Sequence, residues 1–471
     1  MFVTIHKKLR MILTLLLILF PLAAAADAVQ NFNIKIGVAE GVSSGKLLGV
    51  GLSLKDAKGV VAAAKNGDLV SSAGGGVKVA GKSLALPVQV TAKSGLGWEG
   101  TRYRGRMSLI KANGGFTVVN EIDLENYLRG ILKIEMNPEW NVEALKAQAI
   151  LARTYAVKNR GRFKAKGYDL VATENSQMYK GVSAEDPRTD KAVSGTNGQI
   201  LAYDGAPADI YYHSDSGGST VDIAHVWGGN RPYLKSLPEK ASYQSPHSSW
   251  QLSMTGDQIA SVLGKMGKPV GTVSSVEVSQ KDNAGRAVQL RISGDRGSVD
   301  VRAHEFRMAA GSSVVRSTFF TISNGGAAQP GEGGRIASDV RPESLKVPSL
   351  EEIAMTKDPL LEMTKAGIFT RDELYDMILD QDKRDVYLEI GMSRMGESAP
   401  ARQPVRETPV QPKTAQKPLA MASRPSAFVF NGKGWGHGVG LSQWGAKAMA
   451  DQGMKCEEIL GYYFPGTTIA R

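Results

Sequence analysis

Residues 120–161 read NEIDLENYLRGILKIEMNPEWNVEALKAQAILARTYAVKNRG, and the rest of the chain is organised around them. The pattern predicts two helices meeting at a short break. Asp123 stands where an N-cap is needed, and Leu124, Leu128, Ile131 and Leu132 supply an apolar stripe for the first helix. Pro138 disfavours the α conformation at Asn137, so this helix ends before it. Asn141 is placed to cap the second helix. There Leu145, Ala149, Ala152 and Ala156 recur at four, three and four residues and make one buried face. Alanines on that face let another element approach closely. Gly161 suits the left-handed position beyond the last turn.

Glu135 lies at the break, between Ile134 and Met136, rather than on an exposed helical face. Apolar surroundings raise a carboxyl pKa by disfavouring the charged form, and a general acid working near neutral pH needs such a shift. The local sequence equally allows a structural role, either capping the next helix or pairing with Lys133, because perturbed carboxylates also occur in scaffolds.

At 471 residues the chain has room for two or three domains. Residues 1–26 read as a secretory signal peptide. His6, Lys7, Lys8 and Arg10 make a basic start, an apolar run follows from Met11 to Leu22, and Ala24-Ala25-Ala26 offers a small-residue cleavage site. The expected location is therefore periplasmic or otherwise outside the cytoplasm, with an uncleaved N-terminal anchor as the alternative. Cys456 is the only cysteine, which excludes an intrachain disulfide. The formal charge is +11. For an exported protein nucleic acid is not an expected partner, whereas acidic wall polymers or anionic membrane surfaces are.

Alternation predicts β structure over 27–118, as in Phe32, Ile34, Ile36 and Val38 and in Leu84, Leu86, Val88 and Val90. A hairpin turns at Asn113-Gly114-Gly115. Residues 119–322 read as a mixed core of helix and strand. It carries the polar clusters Glu174 to Gly181 and His213 to Thr220, then Trp227-Gly228-Gly229, then a β-meander over 275–302. Composition shifts at Ser323. Residues 323–426 read as an insertion, a small helical module between two linkers rich in glycine, proline and charge. Residues 427–471 return to ordered sequence and complete the core. They hold GKGWGHGVGLSQWGA from Gly432 to Ala446, a glycine-dense turn around Trp435 and His437 that lacks the Gly-Lys-Ser/Thr ending of a phosphate loop. The fold class expected is α+β, with a β-rich start.

With these residues assembled, the chain resembles the stage II sporulation protein D and amidase enhancer family. The matching segments are 119–161, 176–181, 212–220 and 432–466. The resemblance implies an exported protein acting on peptidoglycan, and its EMxP run puts the family's catalytic glutamate at Glu135. The activity implied is that of a lytic transglycosylase on peptide-stripped glycan strands, a reaction a lone carboxylate can serve. The other activity the family implies is a non-catalytic wall-binding protein that stimulates an amidase, so an amidase or another wall enzyme is a candidate partner. Gln177, Tyr179, His213, Ser214, Ser216, Trp435, His437 and Gln443 sit in family motifs and are expected to line the groove, with scaffold packing as the alternative for each. No cofactor is expected. His213 and His225, even with Asp215 or Asp222, are too sparse a set to predict a structural zinc. Cys456 lacks a plausible histidine partner, which removes a papain-like hydrolase.

Overall fold

A computed structural model describes residues 32–325 and 427–471, which form one α+β unit. Its β-rich start is two sheets sharing a core. Strand Asn33–Val42 pairs antiparallel with Gly115–Asp123, which hairpins with Arg106–Ala112 across the Asn113-Gly114 turn. Val88–Thr91, Leu52–Asp56 and Val61–Ala64 extend this sheet on one side, and Leu170–Val171 adds in parallel on the other. The second sheet centres on Ser44–Val50, flanked by Ser94–Trp98 and Leu69–Ala73. Leu47, Leu54, Val70, Val90 and Leu109 fill the space between them.

The alternation from Leu84 to Val90 reads as one strand, and the structure divides it. Lys82–Leu84 belongs to the second sheet and Val88–Thr91 to the first. Pro87 has no N–H to donate, so ladder pairing stops there and the chain crosses between sheets.

The strand Gly115–Asp123 runs directly into helix Leu124–Glu135. Asp123 caps it by accepting the Asn126 N–H at 3.0 Å. The helix stops at Glu135 because Met136 is extended, two residues before Pro138. Asn141 caps helix Val142–Lys158 through the Glu143 N–H. The alanine face is buried as its spacing predicts, and helices Gln443–Asp451 and Cys456–Tyr463 pack against this second helix. Arg153 is fully buried within this arrangement. It makes a two-point ion pair with Glu125, both contacts at 2.7 Å, and donates to the carbonyls of Gln199 and Val193. One guanidinium thereby ties both motif helices to helix Pro187–Gly195. Spacing arguments passed over that helix, although Asp186 as cap and Pro187 at the first position announce it.

A second core gathers around Leu290, Ile292, Phe306, Phe428 and Phe430. It contains the expected meander, Val273–Lys281, Ala287–Gly294 and Gly297–Arg302. Strand Ala427–Gly432 forms the centre of a three-stranded sheet between Trp250–Met254 and Phe320–Gly325. Residues 323–325, placed in a linker by composition, are therefore ladder residues opposite Val429, Phe428 and Ala427. The leader at 1–26 and the helical module read within 323–426 lie outside the described residues, apart from that strand end.

Arg153→Met takes from Glu125 its paired cation and from the Gln199 and Val193 carbonyls one donor each. Breaking a buried pair of this kind costs about 3–5 kcal/mol. Urea unfolding should show a loss of that size, and a loss below about 1 kcal/mol would mean that water replaces the guanidinium.

Candidate active site

The helix end at Glu135 places its side chain, half-buried, against two donors, the Tyr212 hydroxyl and the Met178 N–H. Burial is the larger effect and pushes the carboxyl up to about 7, while the two donors pull it down. Lys133 is exposed and the following helix is capped by Asn141, so neither structural role open to Glu135 from the local sequence is filled by it. Among the described residues no cation pairs with it. A carboxyl titrating near neutrality next to a neutral phenol can give a proton and take one back.

Tyr212 is held from behind. Its hydroxyl also meets Gln177, whose amide oxygen accepts from Tyr127 at 3.3 Å and whose Nε2 donates to the Ala152 carbonyl at 3.2 Å. Burial keeps the Tyr212 phenol well above its usual range, so it remains a donor at neutral pH. Gln177 is 1% exposed, and its amide is spent inside the protein rather than in a groove. Tyr179 is likewise internal. Its hydroxyl donates to Asn120 at 2.7 Å, and its ring packs on Tyr103 and Tyr127. Gly130 is required beneath it, because a Cβ there would run into the Tyr179 ring. Neither side chain offers a polar atom to a substrate, since both complete their bonds in the interior.

The His-Ser cluster lies beside the acid through backbone pairing. Tyr212 and His213 run parallel to Leu441 and Ser442. His213 is buried, its Nδ1 lies 3.2 Å from the Val439 carbonyl, and its Nε2 has no partner. Burial, reinforced by Arg286, lowers it to about 3, so the ring is neutral. His437 accepts the Val439 N–H at 3.0 Å and is held well below its usual range by burial and by His213, 5.5 Å away between ring centroids. Trp227 lies 4.9 Å from His437 and stacks on Tyr211. Gly436 permits this crossing, because any Cβ there would press on the Cβ of His213.

Ser216 is fully buried and donates to Glu239. Glu239 also accepts from Tyr463 at 2.5 Å, and burial raises its pKa. Next to it, Asp215 accepts from the Gly217 N–H, Tyr243 and Ser245. Arg286, 1% exposed, donates to the Ser219 carbonyl at 2.7 Å and to that of Ser216. This network fixes the loop and reaches the strand pairing beside Tyr212 through Ser442. Trp435 packs against His247 and under the Arg316 guanidinium, and Gln443 is buried at the start of its helix. Ser214 is half-buried, and its carbonyl accepts the Trp444 N–H at 3.0 Å. The arrangement thus gathers Glu135, Gln177, Tyr212, His213 and His437 in adjoining positions and assigns Tyr179 and Ser216 to the scaffold. Tyr212, Glu239 and Arg286 were not singled out from sequence. The Tyr-Tyr-His-Ser run was the one local signal for Tyr212.

Among the described residues, one trio of metal-capable side chains converges: Glu143, Cys456 and Glu457. It fits a cation poorly. Glu143 already accepts from Lys146 and the Cys456 N–H, and burial pushes the Cys456 thiol up to about 12, so it stays protonated.

Residues 112–203, which include Glu135 and both motif helices, match the family described as Stage II sporulation protein, SpoIID. The chain therefore carries a domain of that family. It is 29% identical over 234 residues to an uncharacterized protein of Brachyspira hyodysenteriae, covering 49% of this chain and 61% of that one. It is 28% identical over 342 residues to the Amidase enhancer of Bacillus subtilis, covering 73% of this chain and 40% of the relative. It is 35% identical over 143 residues to Stage II sporulation protein D of Bacillus amyloliquefaciens, covering 27% and 42%. The chain thus spans between two fifths and about three fifths of the length of these relatives.

Two titrations check the geometry. Tyr212→Phe removes a donor that favours the charged form, so the Glu135 carboxyl, followed by carbon NMR, should titrate above its wild-type value. An unchanged value would mean that the hydroxyl does not reach the acid. Because the folded pKa of Glu135 lies above its unfolded one, stability is fully present below about pH 4.5 and is lost as pH rises through about 7. Glu135→Gln should remove up to about 3 kcal/mol of that loss, read as a flatter unfolding free energy against pH.

Proposed function

We propose that the protein acts outside the cytoplasm on the glycan strands of peptidoglycan, as a lytic transglycosylase with Glu135 as its acid and then its base. One observation carries this reading: a half-buried carboxyl near pH 7, held by a tyrosine hydroxyl and a backbone N–H with no ion-pairing cation among the described residues. Protonated Glu135 gives its proton to the glycosidic oxygen as the C1–O4 bond breaks. The C6 hydroxyl of the same sugar then attacks C1, and the Glu135 carboxylate takes the hydroxyl proton. The product is a 1,6-anhydro muramyl end. An intramolecular hydroxyl has a high effective molarity, so no second carboxylate is required to activate water. The neutral His213 and His437 suit a site that binds sugar hydroxyls and amides rather than phosphates. The basic charge of the chain suits glycan whose lactyl carboxylates are free of peptide.

A second reading is favoured by one comparison. The relative aligned over 73% of this chain is named Amidase enhancer. On that reading the chain binds wall glycan, stimulates an amidase and cuts nothing itself.

Mass spectrometry of peptide-stripped glycan incubated with the protein separates the two. Anhydro-muramyl ends should form with wild type. Glu135→Gln should lower their rate by about 10²–10⁴-fold, the usual contribution of a general acid. The wild-type rate should fall as pH rises through about 7, because the acid must start protonated. Reducing ends would indicate ordinary hydrolysis, and binding without products would favour the enhancer.

A further inference from the structure

Trp140 and Trp444 meet where the segment bearing Glu135 joins the His213-Ser214 segment. Trp140 closes the turn that follows Glu135, its N–H bonding the Asn137 carbonyl at 3.0 Å. Trp444 lies in the first turn of helix Gln443–Asp451, its N–H bonding the Ser214 carbonyl. Their rings are in edge-to-face contact, with centroids 4.9 Å apart and planes at 61°. Both remain partly exposed, although a buried core lies directly behind Trp140.

Their position ties them to the site by two routes. Along the chain, Trp140 is five residues from Glu135. Through the strand pairing, Trp444 is three residues from Leu441, whose partner Tyr212 donates to Glu135. The seam is fastened from below by Asn141, whose Nδ2 donates to the Ala450 carbonyl at 2.9 Å. The two indoles therefore stand where the acid-bearing segment and the His-Ser segment join. Edge-to-face packing fixes their orientation, and both indoles stay partly open to solvent.

We propose that Trp140 and Trp444 form an aromatic corner that seats one N-acetylated amino-sugar ring of the glycan next to Glu135. One face of a pyranose consists of C–H groups, and its rim consists of hydroxyls. An indole takes the former while the latter stay wet or meet polar neighbours, here the partly exposed Ser214. The second indole, set at an angle, bounds the ring on a second side and fits the acetamido methyl. The corner rests on the glycan reading given above and assigns it a subsite. Trp435 is engaged by His247 and by Arg316 at 4.9 Å, whereas over the Trp444 ring Lys447 Nζ stands farther off, 6.0 Å from the centroid.

The test measures binding apart from cleavage. The probe is a peptide-stripped glycan tetrasaccharide, titrated into Glu135→Gln protein so that none is consumed. Adding Trp444→Ala or Trp140→Ala should each weaken binding by about tenfold or more, whereas Trp444→Tyr should stay within about threefold. Circular dichroism reports whether each variant is folded. Should the alanine variants unfold, the indole N–H signals of Trp140 and Trp444 in the otherwise intact protein decide the matter, since they should shift on titration with the tetrasaccharide. Unchanged affinity in folded variants, or indole signals that stay in place, overturns the corner even if the wild type cleaves glycan. Loss of binding in the variants beside a wild type that binds but never cleaves supports the corner and removes the transglycosylase. A wild type that does not bind the tetrasaccharide overturns both.

Discussion

The site depends on withholding solvation from one carboxyl. Glu135 ends its helix against two donors and no cation among the described residues, and that balance sets its proton affinity near neutrality. Placing a group so close to its titration point demands rigid surroundings, because a small shift in donor distance or water access would move it. The rigidity has identifiable sources. Asp123 and Asn141 fix where each helix begins, Met136 fixes where the first one stops, and Arg153 ties both helices to a third. Behind Tyr212, Gln177 is in turn held by Tyr127 and the Ala152 carbonyl. The acid is thus the outermost member of a chain of hydrogen bonds that begins inside the core.

A second network of equal density serves another purpose. Asp215, Ser216, Glu239, Tyr243, Tyr463 and Arg286 hold one glycine-bearing loop in place. Its carboxylates accept from hydroxyls and N–H groups while Arg286 donates to carbonyls, and burial raises Glu239. Polar density alone therefore does not single out Glu135. Glu239, like Glu135, is raised by burial and accepts from neutral hydroxyls, so what sets Glu135 apart is its place at a helix end against Tyr212 and the Met178 N–H.

Local grammar carried a good part of the fold. The caps at Asp123 and Asn141, the break before Pro138, the alanine face of the second helix and the meander were legible because each depends on neighbours within a few residues. The place of Glu135 at the end of its helix was legible for the same reason. The errors follow distance. The run from Leu84 to Val90 alternates correctly, yet Pro87 sends its halves to different sheets. Gln177 and Tyr179 look like groove residues by type and motif, but their partners Tyr127 and Asn120 lie 50 and 59 residues away and draw them inward. Glu239 and Tyr463 are 224 residues apart, and no local pattern announces their bond.

The pairing of Tyr212 with Leu441, and the central place of strand Ala427–Gly432 between Trp250–Met254 and Phe320–Gly325, have a consequence in time. The helix bearing the acid can form early, since its contacts with the second helix are short in sequence. The strand that steadies the acid's phenolic donor arrives only with the end of the chain, and closing so long a loop is slow. In a chain made from its N-terminus the helices can therefore form before that strand is in place. The pairing of Tyr212 with Leu441 can form only when residues 427–471 dock.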